Sequence, residues 1–275
     1  MTGRGITTTP VALASLRVFT IAMSICSVGA HAQIVKTVPL NDGAHYYATF
    51  EPEQQSRALL LMFIGGDGHL RLRQRGSVSG LNLLIRIRSG LTAAGFKLLY
   101  VDTPESPVAR RDAVYSGSIS QMIEKENSKN LPVFVIGISR GSISAANVAS
   151  RQPVSGMILL SASTGSTHDG TVYDVPVERI TAPSLLLLHR KDACVSSGSE
   201  HALRSFAKDL KNSTATVRVL EGGIDEGSGI GRTADCHPKS FHGFNGTETT
   251  VVDTLVQWIA LVVASKNRKP TNEGF

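Results

Sequence analysis

The stretch Pro132–Ala146, PVFVIGISRGSISAA, decides the architecture. Pro132–Ile136 is apolar throughout, as a strand covered on both faces must be. The small-residue run Ser142–Ser150 that follows reads as a helix. Between them, Gly137-Ile138-Ser139-Arg140-Gly141 matches G-x-S-x-G. A strand that turns at once into a helix brings backbone close to backbone, and glycine is the residue that tolerates such an approach. The turn would lift the Ser139 hydroxyl clear of the sheet and aim a helix N-terminus at it. Ser139 is therefore the candidate nucleophile. The plainer alternative is a strand-loop-helix link with a capping serine.

The same alternation extends in both directions. Ala58–Ile64, Lys97–Val101, Met157–Leu160, Ser184–Leu188 and Thr214–Leu220 are short apolar runs closed by turn residues. Helical candidates lie between or after them: Leu81–Ala94, Asp112–Ser128, Ser199–Leu210 and Glu248–Ser265. In the last, Val251, Leu255, Trp258, Leu261 and Val262 fall near helical spacing and predict a core-facing stripe. Alternating strands and helices imply crossover connections, and so a mostly parallel, doubly wound α/β sheet with helices on both faces. Ile34–Val38 and His45–Phe50 are expected as antiparallel edge strands. Chemistry on such a sheet sits outside the carboxyl ends of its strands.

A serine hydroxyl needs a base to remove its proton, and on this kind of sheet the partners follow in the order acid, then histidine. Asp192 lies just past the run ending at Leu188; Asp225 and Asp235 are rivals in a later glycine-rich loop. His242, in Ser-Phe-His-Gly-Phe just before the final helix, is favoured as base. His237 reads as loop and His201 as a helix-surface residue. Oxyanion donors are expected from the Arg140 N–H and from the Gly65–Gly68 loop. Gly66 is the choice there, with Asp67 one residue on as its alternative. No phosphate-loop glycine pattern follows, and His189 with Asp192 lacks a third metal ligand. Neither a metal nor a cofactor is called for.

Of the 275 residues, 41% are hydrophobic and 18% charged, with formal charge +6, which excludes a disordered chain. The N-terminal residues read as an address. Arg4 and Arg17 precede the apolar run Val18–Val28, and Ala30-His31-Ala32 fits a cleavage site. This predicts a signal peptide over 1–32 and a single domain over 33–275. Eleven apolar residues are too few to cross about 30 Å of hydrocarbon, and no run of about eighteen follows, so no stable membrane insertion is expected. Cleavage would remove two Arg and no acid, leaving a net charge of +4, too slight to argue for nucleic acid. It would also remove Cys26. Cys194 and Cys236 would remain in an oxidising, periplasmic or secreted setting, where a bridge between them is the simple reading. That bridge would tie the acid loop to the histidine loop.

Taken together, Gly65–Gly68 (GGDG), Gly137–Ala145 (GISRGSISA), Asp192–Cys194 (DAC), Cys236 and His242–Phe244 (HGF) resemble α/β-hydrolase-fold serine hydrolases, most closely small exported bacterial members. The resemblance spans nearly the whole mature chain. It implies Ser139 as nucleophile, His242 as base and Asp192 as orienting acid, acting on a small-molecule acyl substrate. Only Ala162–Ala182 is available for a lid, and it is polar, which implies a minimal lid and an open site. An esterase is the leading expectation. A peptidase or amidase of the same fold, or an exported binding protein without turnover, stays open. Arg71, Arg73 and Arg75 could favour an anionic substrate; a solvated basic turn is the commoner outcome for such a cluster.

Overall fold

The structure is a computed structural model that describes residues 1–3, 33–40, 43–104, 109–165, 170–229 and 232–267. Apart from its first three residues, the leader expected over 1–32 lies outside the described residues. The described strands and helices belong to one compact unit, His31–Phe275.

Eight strands form one sheet: β1 (Gln33–Leu40), β2 (Gly43–Phe50), β3 (Ala58–Phe63), β4 (Phe96–Val101), β5 (Val133–Ile138), β6 (Gly156–Leu160), β7 (Ser184–His189) and β8 (Ala215–Leu220). Their order is β1-β2-β4-β3-β5-β6-β7-β8. β1 pairs antiparallel with β2, and β2 antiparallel with β4, as the two early segments led us to expect. The remaining pairings are parallel; Leu61, for example, faces Leu99 on one side and Val135 on the other. Every residue of β3, β5, β6 and β7 is buried, which explains why these runs are apolar without alternation.

The helices are α1 (Leu72–Arg75), α2 (Leu83–Arg86), α3 (Arg88–Ala93), α4 (Ala113–Glu126), α5 (Gly141–Arg151), α6 (Glu200–Asp209), α7 (Arg232–Asp235) and α8 (Glu248–Asn267). They cover both faces. Leu60, Met62 and Ile136 share one core cluster with Leu84 of α2, Leu91 of α3 and Leu255 of α8. Their strand neighbours Leu59, Leu61 and Val135 point the other way, into a cluster with Ile119 of α4, Ile143 of α5 and Phe206 of α6. The alternation is the period of two that a strand imposes.

Three elements depart from the sequence expectation. The helix expected over Leu81–Ala94 is broken at Ile87. The Leu84 carbonyl, which would accept the Arg88 N–H in a continuous helix, accepts the buried Tyr100 hydroxyl at 2.6 Å. Leu261, expected in the core stripe of α8, is 65% exposed. At about 100° per residue, it lies roughly 110° from the centre of the arc that Val251, Leu255, Trp258, Ile259 and Val262 bury. α8 is long and apolar enough to cross a membrane by length and composition, but that stripe packs against the sheet. Finally, β5 continues through Gly137 to Ile138, where we expected it to stop at Ile136.

That extension draws the serine turn tight. A Cβ on Gly137 would lie 2.3 Å from the Gly141 carbonyl oxygen, and one on Gly141 would lie 2.0 Å from that of Phe63. Gly141→Ala is therefore expected to cost about 3 kcal/mol or more in urea unfolding, or to prevent folding. Gly117→Ala, at an exposed point of α4 with open space around it, should instead gain about 0.5–1 kcal/mol. Equal effects at the two positions would contradict the packing described.

Candidate active site

Ser139 sits on the turn from β5 to α5 with φ 52°, a left-handed conformation that is unusual for a residue with a side chain. Its N–H donates to the Leu160 carbonyl (2.9 Å), and its own carbonyl accepts from Ser142 N–H (2.9 Å). The turn is held from both sides, as a strained backbone must be. Arg140 follows at the N-terminal turn of α5.

The loop after β3 packs directly on this turn. A Cβ on Gly65 would stand 3.1 Å from both Ser139 Cβ and the Ile138 carbonyl oxygen. Gly66 has φ 64° and open space where a side chain would project. Beneath the loop lies buried Arg110, whose guanidinium donates to the carbonyls of Ile64 (3.3 Å) and Gly66 (3.2 Å) and to Ser144 Oγ (3.3 Å). Sequence reasoning missed Arg110; nothing in its neighbourhood of the chain points to a loop some forty residues earlier.

Asp192 lies on the turn after β7, where its N–H donates to the His189 carbonyl (2.9 Å). Its side chain is fully buried. The carboxylate accepts from the Cys194 N–H at 3.0 Å and from His242 Nδ1 at 3.1 and 3.2 Å. Burial opposes its ionisation. The bond to His242, the charge that ring carries when protonated, the Cys194 N–H and the Ser161 side chain outweigh burial and hold the carboxyl below its ordinary value of 3.8. Ser197 Oγ also meets His242 Nδ1, at 2.8 Å. In the tautomer whose one Nδ1 hydrogen points at the carboxylate, Nε2 keeps the lone pair.

His242 is carried on a one-turn 3₁₀ helix, Phe241–Gly243, capped by Ser240, whose Oγ accepts the His242 N–H (3.2 Å). Gly243 is required there, because a Cβ would meet the Pro238 carbonyl oxygen at 1.9 Å. Arg86 of α2 fastens the same loop, donating to the carbonyls of Gly243 (2.7 Å) and Pro238 (3.0 Å). The His189 ring stacks on Phe241 at 4.7 Å. Cys194 and Cys236 are bridged, with Cα atoms 4.7 Å apart. A cross-link between residues 42 apart in sequence contributes about 2–4 kcal/mol by restricting the unfolded chain.

The structure thus joins Asp192 to His242. No hydrogen bond joins Ser139 Oγ to His242 Nε2 among the described residues. The two are nevertheless anchored to consecutive residues at the end of β6: Ser139 N–H to Leu160 O, and the His242 carbonyl to Ser161 Oγ (3.0 Å). The other candidates lie apart. His201 is exposed on α6, His237 contacts Lys239 and Ser228, and Asp225 accepts from Gly227 N–H in an exposed loop. Among the described residues no group of three His, Cys, Asp or Glu could hold a metal ion.

No family model and no curated protein sequence matches the chain. Solved structures do. A thermostable carboxyl esterase from Bacillus coagulans aligns at TM-score 0.59 and 13% identity, over 84% of this chain and 99% of that one. An α/β serine hydrolase homologue from Coxiella burnetii aligns at 0.57 and 13%, over 82% and 96%. A lidless α/β serine hydrolase from Xanthomonas campestris aligns at 0.55 and 11%, over 81% and 94%. The shared feature is the fold: this chain has the α/β-hydrolase fold.

The depressed Asp192 carboxyl has a consequence for acid stability. Its folded-state pKa lies below the unfolded value, so the native state binds fewer protons and stability rises with pH. The contribution is fully present above about pH 5 and is lost as pH falls through the unfolded value and then the lower folded value. Urea unfolding of the wild type should therefore weaken between pH 5 and pH 3 more steeply than that of Asp192→Asn. Parallel slopes would contradict the assignment.

Proposed function

We propose that this α/β-hydrolase-fold chain is an exported serine hydrolase that cleaves carboxylic esters through Ser139, His242 and Asp192. The observation that carries the reading is the buried Asp192–His242 pair, whose histidine is tied to Ser161, one residue past the Leu160 carbonyl that holds Ser139 on its glycine-bounded strand-to-helix turn. In the proposed reaction, His242 Nε2 takes the Ser139 proton as Oγ adds to the ester carbonyl carbon. Asp192 keeps Nδ1 protonated and stabilises the imidazolium. The Gly66 and Arg140 N–H groups hold the oxyanion. Its collapse breaks the ester C–O bond, and the leaving alcohol departs with the proton from Nε2. Water then attacks the acyl-serine, giving its proton to Nε2. The acid leaves and the proton returns to Oγ. Catalytic hydrogen bonds often tighten only when substrate is seated, so the serine–histidine bond would form in the loaded site.

Esters of modest size fit best. Ala162–Ala182, where a cap would be inserted, carries two 3₁₀ turns in its described part, and Val172 in the first, with Val175 and Ile180 just after the two turns, is buried in the core. Export rests on the basic-apolar-small order of residues 1–32 and on the Cys194–Cys236 bridge, which suits an oxidising compartment such as the periplasm.

Hydrolysis of p-nitrophenyl butyrate tests the reading. Ser139→Ala and His242→Ala should each lower kcat/KM by at least about 10⁴-fold, with Asp192→Asn close behind. A Ser139→Ala protein as active as wild type would overturn it.

A further inference from the structure

A cavity of about 480 Å³ lies at the carboxyl end of β4, with His45, His69, Arg71, Arg73, Gln74 and Asp102 among its lining residues. β4 stands two strands from β5 in the order β4-β3-β5. At about 4.8 Å per strand, the near edge of the cavity at Asp102 is roughly 10 Å from Ser139 along the sheet rim, and its far wall on β1 and β2 lies further out. His69 and Arg71 continue the loop that begins with Gly65 and Gly66, and Arg73 follows in α1.

The cavity is built, and its charge is unspent. Asp102 Oδ1 accepts the N–H groups of Leu70 (2.6 Å) and Arg71 (3.2 Å), and Oδ2 accepts that of Leu72 (2.8 Å). These three bonds set Arg71 at φ 54° and start the short helix α1 that carries Arg73. Both oxygens of the one acid lining the cavity, among the described residues, are thus turned to backbone. Burial pushes its carboxyl above the ordinary value, against the pull of those bonds. His45 is buried in the wall, its Nδ1 on Ser118 Oγ (2.6 Å) and its Nε2 on the Asp102 carbonyl (2.5 Å). Burial lowers its pKa to about 4, so it stays neutral. His69 leans on exposed Asp67 at 3.6 Å. Arg71 and Arg73 form no ion pair among the described residues, whereas Arg86, Arg190 and Arg204 all do.

Direction along the rim decides which part of a substrate would reach them. The leaving alcohol must take its proton from His242, which is held by Asp192 beyond β7. That is the opposite side of β5 from β4, so the acyl portion would run toward the cavity. We infer that the cavity at Arg71 and Arg73 is an anion subsite selecting esters whose acyl chain ends in a negatively charged group, such as a half-ester of a dicarboxylic acid. This deepens the hydrolase reading and rests on it.

Two arms test it. The first compares kcat/KM for p-nitrophenyl hydrogen suberate and neutral p-nitrophenyl octanoate within each protein. Wild type should favour the suberate ester by about tenfold, since charge-assisted contacts to a guanidinium are among the stronger hydrogen bonds, and less so at high salt. The ratio should collapse in Arg71→Ala/Arg73→Ala and persist in Arg75→Ala, which lies outside the cavity lining. No preference in the wild type, with Ser139→Ala inactive on both esters, would overturn the subsite and leave the hydrolase reading standing. The second arm needs no turnover: calorimetric binding of free suberate to Ser139→Ala should weaken about tenfold when Arg71 and Arg73 are also replaced. Absent binding, or binding indifferent to the arginines, would overturn the subsite even if Ser139 proved not to be the nucleophile.

Discussion

The contact on which the rest depends is that between the first turn of α5 and the end of β3, at the Gly141–Phe63 approach. There is room for a hydrogen at position 141 and for nothing larger. This proximity forces the chain to reverse within a few residues of Ile138, and the reversal puts Ser139 at φ 52°. A non-glycine residue in that region costs energy, of order 1–3 kcal/mol, and persists only where its surroundings over-determine it. Here they do: buried strands on both sides, the Leu160 carbonyl on its N–H, and Gly65 against its Cβ. The same contact brings the loop of Gly66 beside the serine, so one steric fact sets the spacing between the Ser139 hydroxyl and the N–H groups proposed as oxyanion donors.

The histidine side is organised differently. No regular strand or long helix carries His242; a single 3₁₀ turn does. Rigidity comes from side chains reaching in from elsewhere: Arg86 from α2, His189 from the end of β7, Ser161 from the end of β6. The disulfide adds a covalent tie between the turn of Asp192 and the segment leading to His242. A buried carboxylate left without a partner would be costly, and that of Asp192 is held by His242 Nδ1 and by the Cys194 N–H of its own turn. The acid is thus stable only when the loops are in place, which couples local folding to the arrangement of the site.

Much of this was legible along the chain. Buried strands announced themselves as unbroken apolar runs because both faces of the sheet are covered, and the glycines at 137 and 141 marked the turn by their spacing. Asp192 and His242 followed from their places after strand ends, and Cys194 with Cys236 from lying near them. Other features left no local trace. The break at Ile87 depends on Tyr100, thirteen residues on and in another element. Arg110 serves a loop distant in sequence. The helix α1 is four residues long, too short for any period, and exists because Asp102 caps it from across the fold. Leu261 looked like core because it is apolar, yet the arc that faces the sheet ends before it. The rule is physical: contacts within an element imprint a period, and contacts between elements imprint none.

The most direct test of the account is where, and how fast, a fluorophosphonate modifies the protein. We expect one phosphonyl group per chain, located by peptide mass mapping on Ser139, with its rate lowered about 10³-fold or more in His242→Ala because the hydroxyl has lost its base. Modification at another residue, or an unchanged rate without His242, would contradict it.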